Sequence, residues 1–138
     1  ESLKILEKKL KLTNLVFVGG VTDVRNELAN ADIYVCSSLA EASPTSVWEA
    51  MAMGKPVVST NVGEVDHVFQ NGNLGSIVPV GNVKEIVSKI DYLLNHPLIA
   101  QRLGRNARQT ALNKMDISII VQQHADAYQT TMRKEEKT

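Results

Sequence analysis

The sequence predicts an α/β fold built on a mainly parallel sheet and followed by a helical tail. Three observations carry that expectation. Short β-branched runs bounded by Gly or Pro alternate with segments of helical period. The runs are apolar at successive positions, as in strands buried on both faces. From residue 82 the period is helical almost to the end. At 138 residues the chain is one domain's worth, 1–138, with 82–134 as its helical tail.

The elements follow in order. Leu3, Leu6 and Leu10 fall at helical spacing within 2–10, and NLVFVGG (14–20) is the first expected strand. Thr22 or Asp23 is placed to cap a helix reaching about Ala29, and ADIYVC (31–36) is the second strand. A helix from Pro44 to Met53 stops at Gly54, with Pro56 just beyond. PVVST (56–60) is the third strand, a short helix covers Gly63 to Phe69, and GSIVP (75–79) is the fourth strand. In 82–95, Val83, Ile86, Val87, Ile90, Leu93 and Leu94 share a face, and His96 and Pro97 interrupt it. Helices over 97–113 and 116–134 come next, the last with Ile117, Ile120, Val121, His124 and Tyr128 aligned as a packing face and His124 at the edge of the core. The charged end RKEEKT is expected to be solvated.

Composition narrows the function. Fifteen basic and fifteen acidic residues balance, and no basic run is interleaved with aromatics, so a nucleic-acid groove is not expected. No apolar stretch approaches the roughly 20 residues that span a bilayer. A soluble protein is expected. The single cysteine, Cys36, lies in a strand-like run, which excludes an internal disulfide and suits a buried thiol in a reducing compartment. His67, His96 and His124 make no metal-ligand spacing with a carboxylate, so no metal site is expected.

The chemistry concentrates in EASPTSVWE, residues 41–49. Pro44 suits a first helical turn and Ser43 an N-cap, which would leave the N–H groups of Thr45, Ser46 and Val47 open beside hydroxyls. Open donors and the positive end of the macrodipole attract an anion there, and a phosphate is the first expectation. Glu49 shares a helix face with Thr45 and Ser46 and lies roughly 6–7 Å further along the axis, about the span from a diphosphate to its ribose. A carboxylate can accept from two adjacent ribose hydroxyls. Glu41 precedes the helix at the carboxyl end of a strand, where open sheets place ligands, and could accept from a sugar hydroxyl. An ordinary helix N-terminus accounts for the same residue types, and spacing alone does not separate the two readings.

With the elements placed, EASPTSVWEAMAMGKPVVSTNVGEVDHVFQNGNLGSIVP resembles the signature of the retaining glycosyltransferases of the GT-B fold, family 4 (glycosyl transferases group 1). The specific string is a glutamate, seven residues, a second glutamate, EAMAMGKPVVST, and the later NG, two residues, then GSIVP. The likeness runs over nearly the whole chain. It implies the Rossmann-like C-terminal half of a GT-B fold, with the first two strands of that domain absent from this sequence. It further implies that Glu41 contacts hydroxyls of the transferred sugar as the catalytic-site acid. Ala42, Ser43, Pro44, Thr45 and Ser46 would hold sugar and diphosphate, Glu49 the ribose, and Gly19, Gly20 and Val21 would lie along the base. A tight turn explains the two glycines equally well.

Some positions depart from the usual pattern. Residues 42 and 43, often Gly and an aromatic, are Ala and Ser; the position after Gly63, often Gly, is Glu64; and Asp66 and His67 stand where a Glu is frequent. The resemblance also implies diphosphate-binding Arg and Lys residues, two central strands and an acceptor-binding domain upstream of residue 1. Without those strands, the strand at 14–19 and the one at 31–36 would not be neighbours. The chain alone is then expected to pair them differently, to associate with a second copy or to be marginally stable, and to be inactive.

The implied activity is transfer of a hexose from a nucleotide diphosphate sugar, UDP or GDP type, to a saccharide or lipid-linked acceptor with retention at the anomeric carbon. It requires no cofactor and no divalent metal. The setting is cytoplasmic, with peripheral contact at the inner membrane face through the absent half. A nucleotide-sugar epimerase on the same scaffold, or a non-catalytic nucleotide-binding module, are the alternatives.

Overall fold

The computed structural model of the protein describes residues 2–70 and 73–135. Helix α1 is Ser2–Leu10 and α2 is Arg25–Asn30; strand β1 (Tyr34–Cys36), α3 (Thr45–Ala52), β2 (Val57–Thr60), α4 (Val65–Phe69) and β3 (Gly75–Val78) then alternate. Helices α5 (Val83–Asn95), α6 (Pro97–Lys114) and α7 (Ile117–Glu135) complete the chain. The three strands are parallel in the order β1-β2-β3, with Tyr34 beside Val57 and Val57 beside Gly75. Strand and helix thus alternate as expected for crossover connections.

β2 is the middle strand and every residue in it is buried. Its two faces serve two clusters. Val57 packs with Val47, Met51, Val65, Leu74 and Ala107, whereas Val58 packs on the opposite side with Leu93 and Leu103. That double coverage is why PVVST reads as a continuous apolar run. α6 crosses the end of α3 at backbone contact. A Cβ on Gly104 would lie 2.1 Å from the Gly54 carbonyl oxygen, and the Arg108 guanidinium donates to the Ala52 carbonyl at 2.6 Å. α5 starts at an Asn82 N-cap, whose side-chain oxygen accepts from the Glu85 N–H and whose side-chain amide donates to the Glu85 carboxylate.

Several expectations are corrected. Residues 14–20 form no strand: Val16 is 79% exposed, Val18 61%, and no neighbouring strand takes up their backbone groups among the described residues. β propensity becomes a strand only where a ladder partner exists. The 31–36 strand shortens to Tyr34–Cys36 and occupies an edge of the sheet. α2 begins at Arg25 with Val24 at its cap, neither Thr22 nor Asp23. Asp23 instead accepts from the Arg25 N–H at 3.0 Å and forms an ion pair with its guanidinium.

The stripes on α1 and α7 are helical, as their spacing requires, yet Leu3, Leu6, Leu10, Ile117, Val121 and Tyr128 are exposed. His124 is exposed too, its Nδ1 on the Ile120 carbonyl at 2.8 Å, so it does not edge the core. The NG pair of the family string, residues 71–72, and the last residues of RKEEKT lie outside the described residues. No helix among the described residues is long and apolar enough to cross a membrane.

Candidate functional site

The site is assembled where β1 and β2 end and α3 begins. Thr60, the buried last residue of β2, donates to the Ser38 carbonyl at 2.7 Å, and the Ser38 hydroxyl donates to Glu41 Oε1 at 2.8 Å. Glu41 is thereby tied to the carboxyl ends of two strands while remaining exposed. The loop carrying it rests on the turn before α4. Gly63 has φ +53°, and a Cβ there would lie 2.1 Å from the Ala42 carbonyl oxygen and 2.8 Å from that of Glu41. The Glu64 N–H donates to the same Ala42 carbonyl at 3.2 Å. Glycine at 63 is thus required twice, by conformation and by contact.

The helix start differs from expectation in two respects. Ser43 is not the N-cap; Pro44, buried, occupies that position, and its carbonyl accepts from the N–H of Val47 at 2.9 Å and of Trp48 at 3.4 Å. Val47 therefore has no open amide. Thr45 and Ser46 have none of their N–H groups satisfied among the described residues, and both side chains are exposed. The Ser43 hydroxyl is engaged elsewhere: it accepts from Trp48 Nε1 at 3.0 Å and donates to Glu64 Oε2 at 3.3 Å. A hydroxyl committed to those partners cannot cap the helix.

Glu49 stands at the meeting of two cavities. One, of about 530 Å³, is lined by Val21, Asp23, Arg25, Leu28, Glu49 and Met53 among others. The second, of about 990 Å³, runs between α3, α4 and the start of α7 and takes in Ser43, Thr45, Trp48, Glu49, Glu64 and Lys114. The fold therefore brings Val21 and Glu49, distant in sequence, to one hollow, and Ser43, Thr45 and Glu49 to another. Glu41, Ala42, Pro44, Ser46, Gly19 and Gly20 line neither. The space beside Gly19 and Gly20 is open, and only Gly19, at φ +81°, has a backbone that favours glycine.

Sequence reasoning missed Tyr34, Trp48 and Glu64. The phenol of Tyr34 is pushed above its ordinary pKa first by burial, which the nearby Ser46 side chain opposes, with Cys36, Glu49 and Glu41 adding to the rise. A tyrosine inside an otherwise apolar strand was the available signal, since its hydroxyl seeks a partner when buried. Asp23 is held down to about 2, first by its hydrogen bonds to Arg25. No group of three His, Cys, Asp or Glu side chains converges among the described residues.

Chemically, this corner offers two open amides beside hydroxyls for an anion, with carboxylates on either side that can accept from hydroxyl groups. The chain is similar to known proteins in sequence and in fold. Residues 1–110 match the family of glycosyl transferases group 1. The capsular polysaccharide biosynthesis glycosyltransferase CapM of Staphylococcus aureus is 32% identical over 124 residues, covering 89% of this chain and 32% of that protein. The N,N'-diacetylbacillosaminyl-diphospho-undecaprenol alpha-1,3-N-acetylgalactosaminyltransferase of Campylobacter jejuni is 32% identical over 117 residues, covering 85% of this chain and 31% of its own. This chain thus spans about a third of the length of the curated relatives it matches. Among solved structures, Anabaena Alr3699/HepE in complex with UDP-glucose superimposes with a TM-score of 0.86 at 25% identity, over 94% of this chain and 36% of that one. Sucrose-phosphate synthase from Thermosynechococcus elongatus superimposes with a TM-score of 0.85 at 24% identity, over 95% and 34%. With its three-stranded parallel sheet matching the Rossmann-like C-terminal half of the GT-B fold, the chain belongs to the glycosyl transferases group 1 family.

Proposed function

We propose that this chain is the part of a retaining glycosyltransferase that binds the donor nucleotide sugar, and that the whole enzyme moves a hexose from a UDP- or GDP-type donor to a saccharide or lipid-linked acceptor. The observation that supports this best is the hollow of about 530 Å³ shared by Val21 and Glu49, one helical turn from the open amides of Thr45 and Ser46. A nucleoside fits that relationship: base along Val21, ribose on Glu49, diphosphate at the start of α3. Anabaena Alr3699/HepE, solved in complex with UDP and with UDP-glucose, supports the ligand class.

As the glycosidic bond breaks, negative charge grows on the leaving diphosphate. Donors fixed in advance at Thr45 and Ser46 stabilise it without reorganising. Glu41, braced by Ser38, orients the sugar through its hydroxyls. The leaving phosphate takes the acceptor proton on the same face, which gives retention and calls for neither a resident cofactor nor a divalent metal. Cys36, buried and free, suits a reducing, cytoplasmic setting.

Calorimetry of the full-length polypeptide with UDP and GDP tests this. Glu49→Ala should weaken binding of the preferred diphosphate by about 1–3 kcal/mol, the loss expected for a charged hydrogen-bond partner. Unchanged affinity would return Glu49 to a purely structural role.

A further inference from the structure

Two positions that depart from the usual family pattern, Ser43 and Glu64, are 21 residues apart in sequence and hydrogen-bonded in the fold. Trp48 joins them, its indole N–H on the Ser43 hydroxyl at 3.0 Å, and all three side chains line the cavity of about 990 Å³. We propose that Trp48, Ser43 and Glu64 form a positioning relay that sets the sugar-contacting loop 41–43, so that Glu64 governs binding of the sugar part of the donor and not of its nucleotide. This deepens the proposed function and rests on it.

The directions of the bonds leave one arrangement. Trp48 Nε1 can only donate, so Ser43 Oγ accepts there and its own proton points to the Glu64 carboxylate. Ser43 is thus held from the helix side by Trp48 and from the α4 side by Glu64. The backbone strengthens the same link, since the Glu64 N–H donates to Ala42 and Gly63 lies against the carbonyls of Glu41 and Ala42. Loop 41–43, which carries the acid expected to meet the sugar, is therefore clamped between α3 and the 62–64 turn. Glu49 and Val21, which would hold the nucleoside, have no part in the clamp.

The chain's one tryptophan supplies a spectroscopic reporter, because indole emission responds to its hydrogen bond. The test uses the full-length polypeptide with UDP against UDP-glucose, and GDP against GDP-mannose, the emission of interest being that removed by Trp48→Phe. Glu64→Ala should weaken the nucleotide sugar by about tenfold and leave the free diphosphate within about twofold, the scale of one lost charged hydrogen bond. Glu64→Gln, whose amide oxygen still accepts from Ser43, should recover to within about threefold of wild type. The sugar nucleotide, and not the diphosphate, should change Trp48 emission, and Glu64→Ala should abolish that difference.

Equal weakening of both ligands by Glu64→Ala would overturn the relay, as would unchanged binding of the nucleotide sugar. If Glu49→Ala still weakens the diphosphate in those cases, the proposed function stands and the relay alone is lost. If wild type binds none of the four probes, both are lost together.

Discussion

Ser38 and Glu41 are joined by a 2.8 Å hydrogen bond in which the serine hydroxyl donates to the carboxylate. The Ser38 carbonyl is itself held by Thr60, so the last buried hydroxyl of the central strand is two hydrogen bonds from the acid expected to meet the sugar. Thr60→Val should therefore act at a distance. It leaves a carbonyl without its donor and should cost about 1–2 kcal/mol of stability in urea unfolding. Ser38→Ala should leave stability nearly unchanged and lower the transfer rate several-fold at unaltered diphosphate affinity. A loss confined to diphosphate affinity would contradict that assignment of Glu41.

Gly63→Ala meets both a left-handed backbone and a carbonyl wall. A destabilisation of about 2–4 kcal/mol is expected, combining strain with displacement of loop 41–43. Chemical denaturation measures it directly. A near-neutral result would mean that the loop shifts freely, and the clamp described above would be weaker than its contacts indicate.

Gly104→Ala provides the corresponding perturbation away from the ligand corner. Its Cβ would press on the Gly54 carbonyl at the crossing of α3 and α6. Unfolding should be easier by about 1–3 kcal/mol, the usual scale of overpacking. Among molecules still folded, titration with UDP should give an affinity close to wild type.

The Asp23–Arg25 pair predicts an acid dependence with a definite sign. The Asp23 carboxyl is depressed in the folded protein to about 2, chiefly by hydrogen bonds from Arg25. A depressed folded value means that its contribution is present above the unfolded value of about 3.9 and is lost as pH falls toward 2. Both side chains are substantially exposed, so the effect should be small and weakened by salt. An NMR titration of Asp23 should give a midpoint near 2, moving upward in Arg25→Ala. A midpoint at the ordinary carboxylate value in wild type would show that the pair does not persist in solution.

Exposed apolar groups on α1, at 15–18 and on α7, together with β1 at a sheet edge, should make the 138-residue polypeptide self-associate. Sedimentation should show mass above one chain at micromolar concentration. Val16→Lys with Val18→Lys should shift the distribution toward monomer. A monodisperse wild-type monomer would remove the expectation.

Much of this was legible from local chemistry. Helix periods named α1 and α5 to α7 within a residue or two, because 3.6-residue spacing and breakers such as Pro97 act on the chain's own backbone. The PVVST run announced a strand covered on both faces, and β2 is that strand. The two glutamates flanking a helix start were apparent from spacing, since eight residues include one turn into the helix. The segment 14–20 misled because its composition suits a strand while its backbone finds no partner. His124 misled because an aligned stripe says which face is apolar and not whether anything covers it.

By itself, then, the order of residues determined the alternation of elements from the 31–36 run onward, the family and the acids that border the helix start, all of which depend on neighbours along the chain. Only the tertiary structure decided that Val21 and Glu49 open on one hollow, that Ser38 braces Glu41, and that Ser43 turns from the helix cap to Trp48 and Glu64. The physical reason is that a side-chain hydroxyl has several possible partners of similar strength. Which one it takes is settled by packing between segments far apart in sequence.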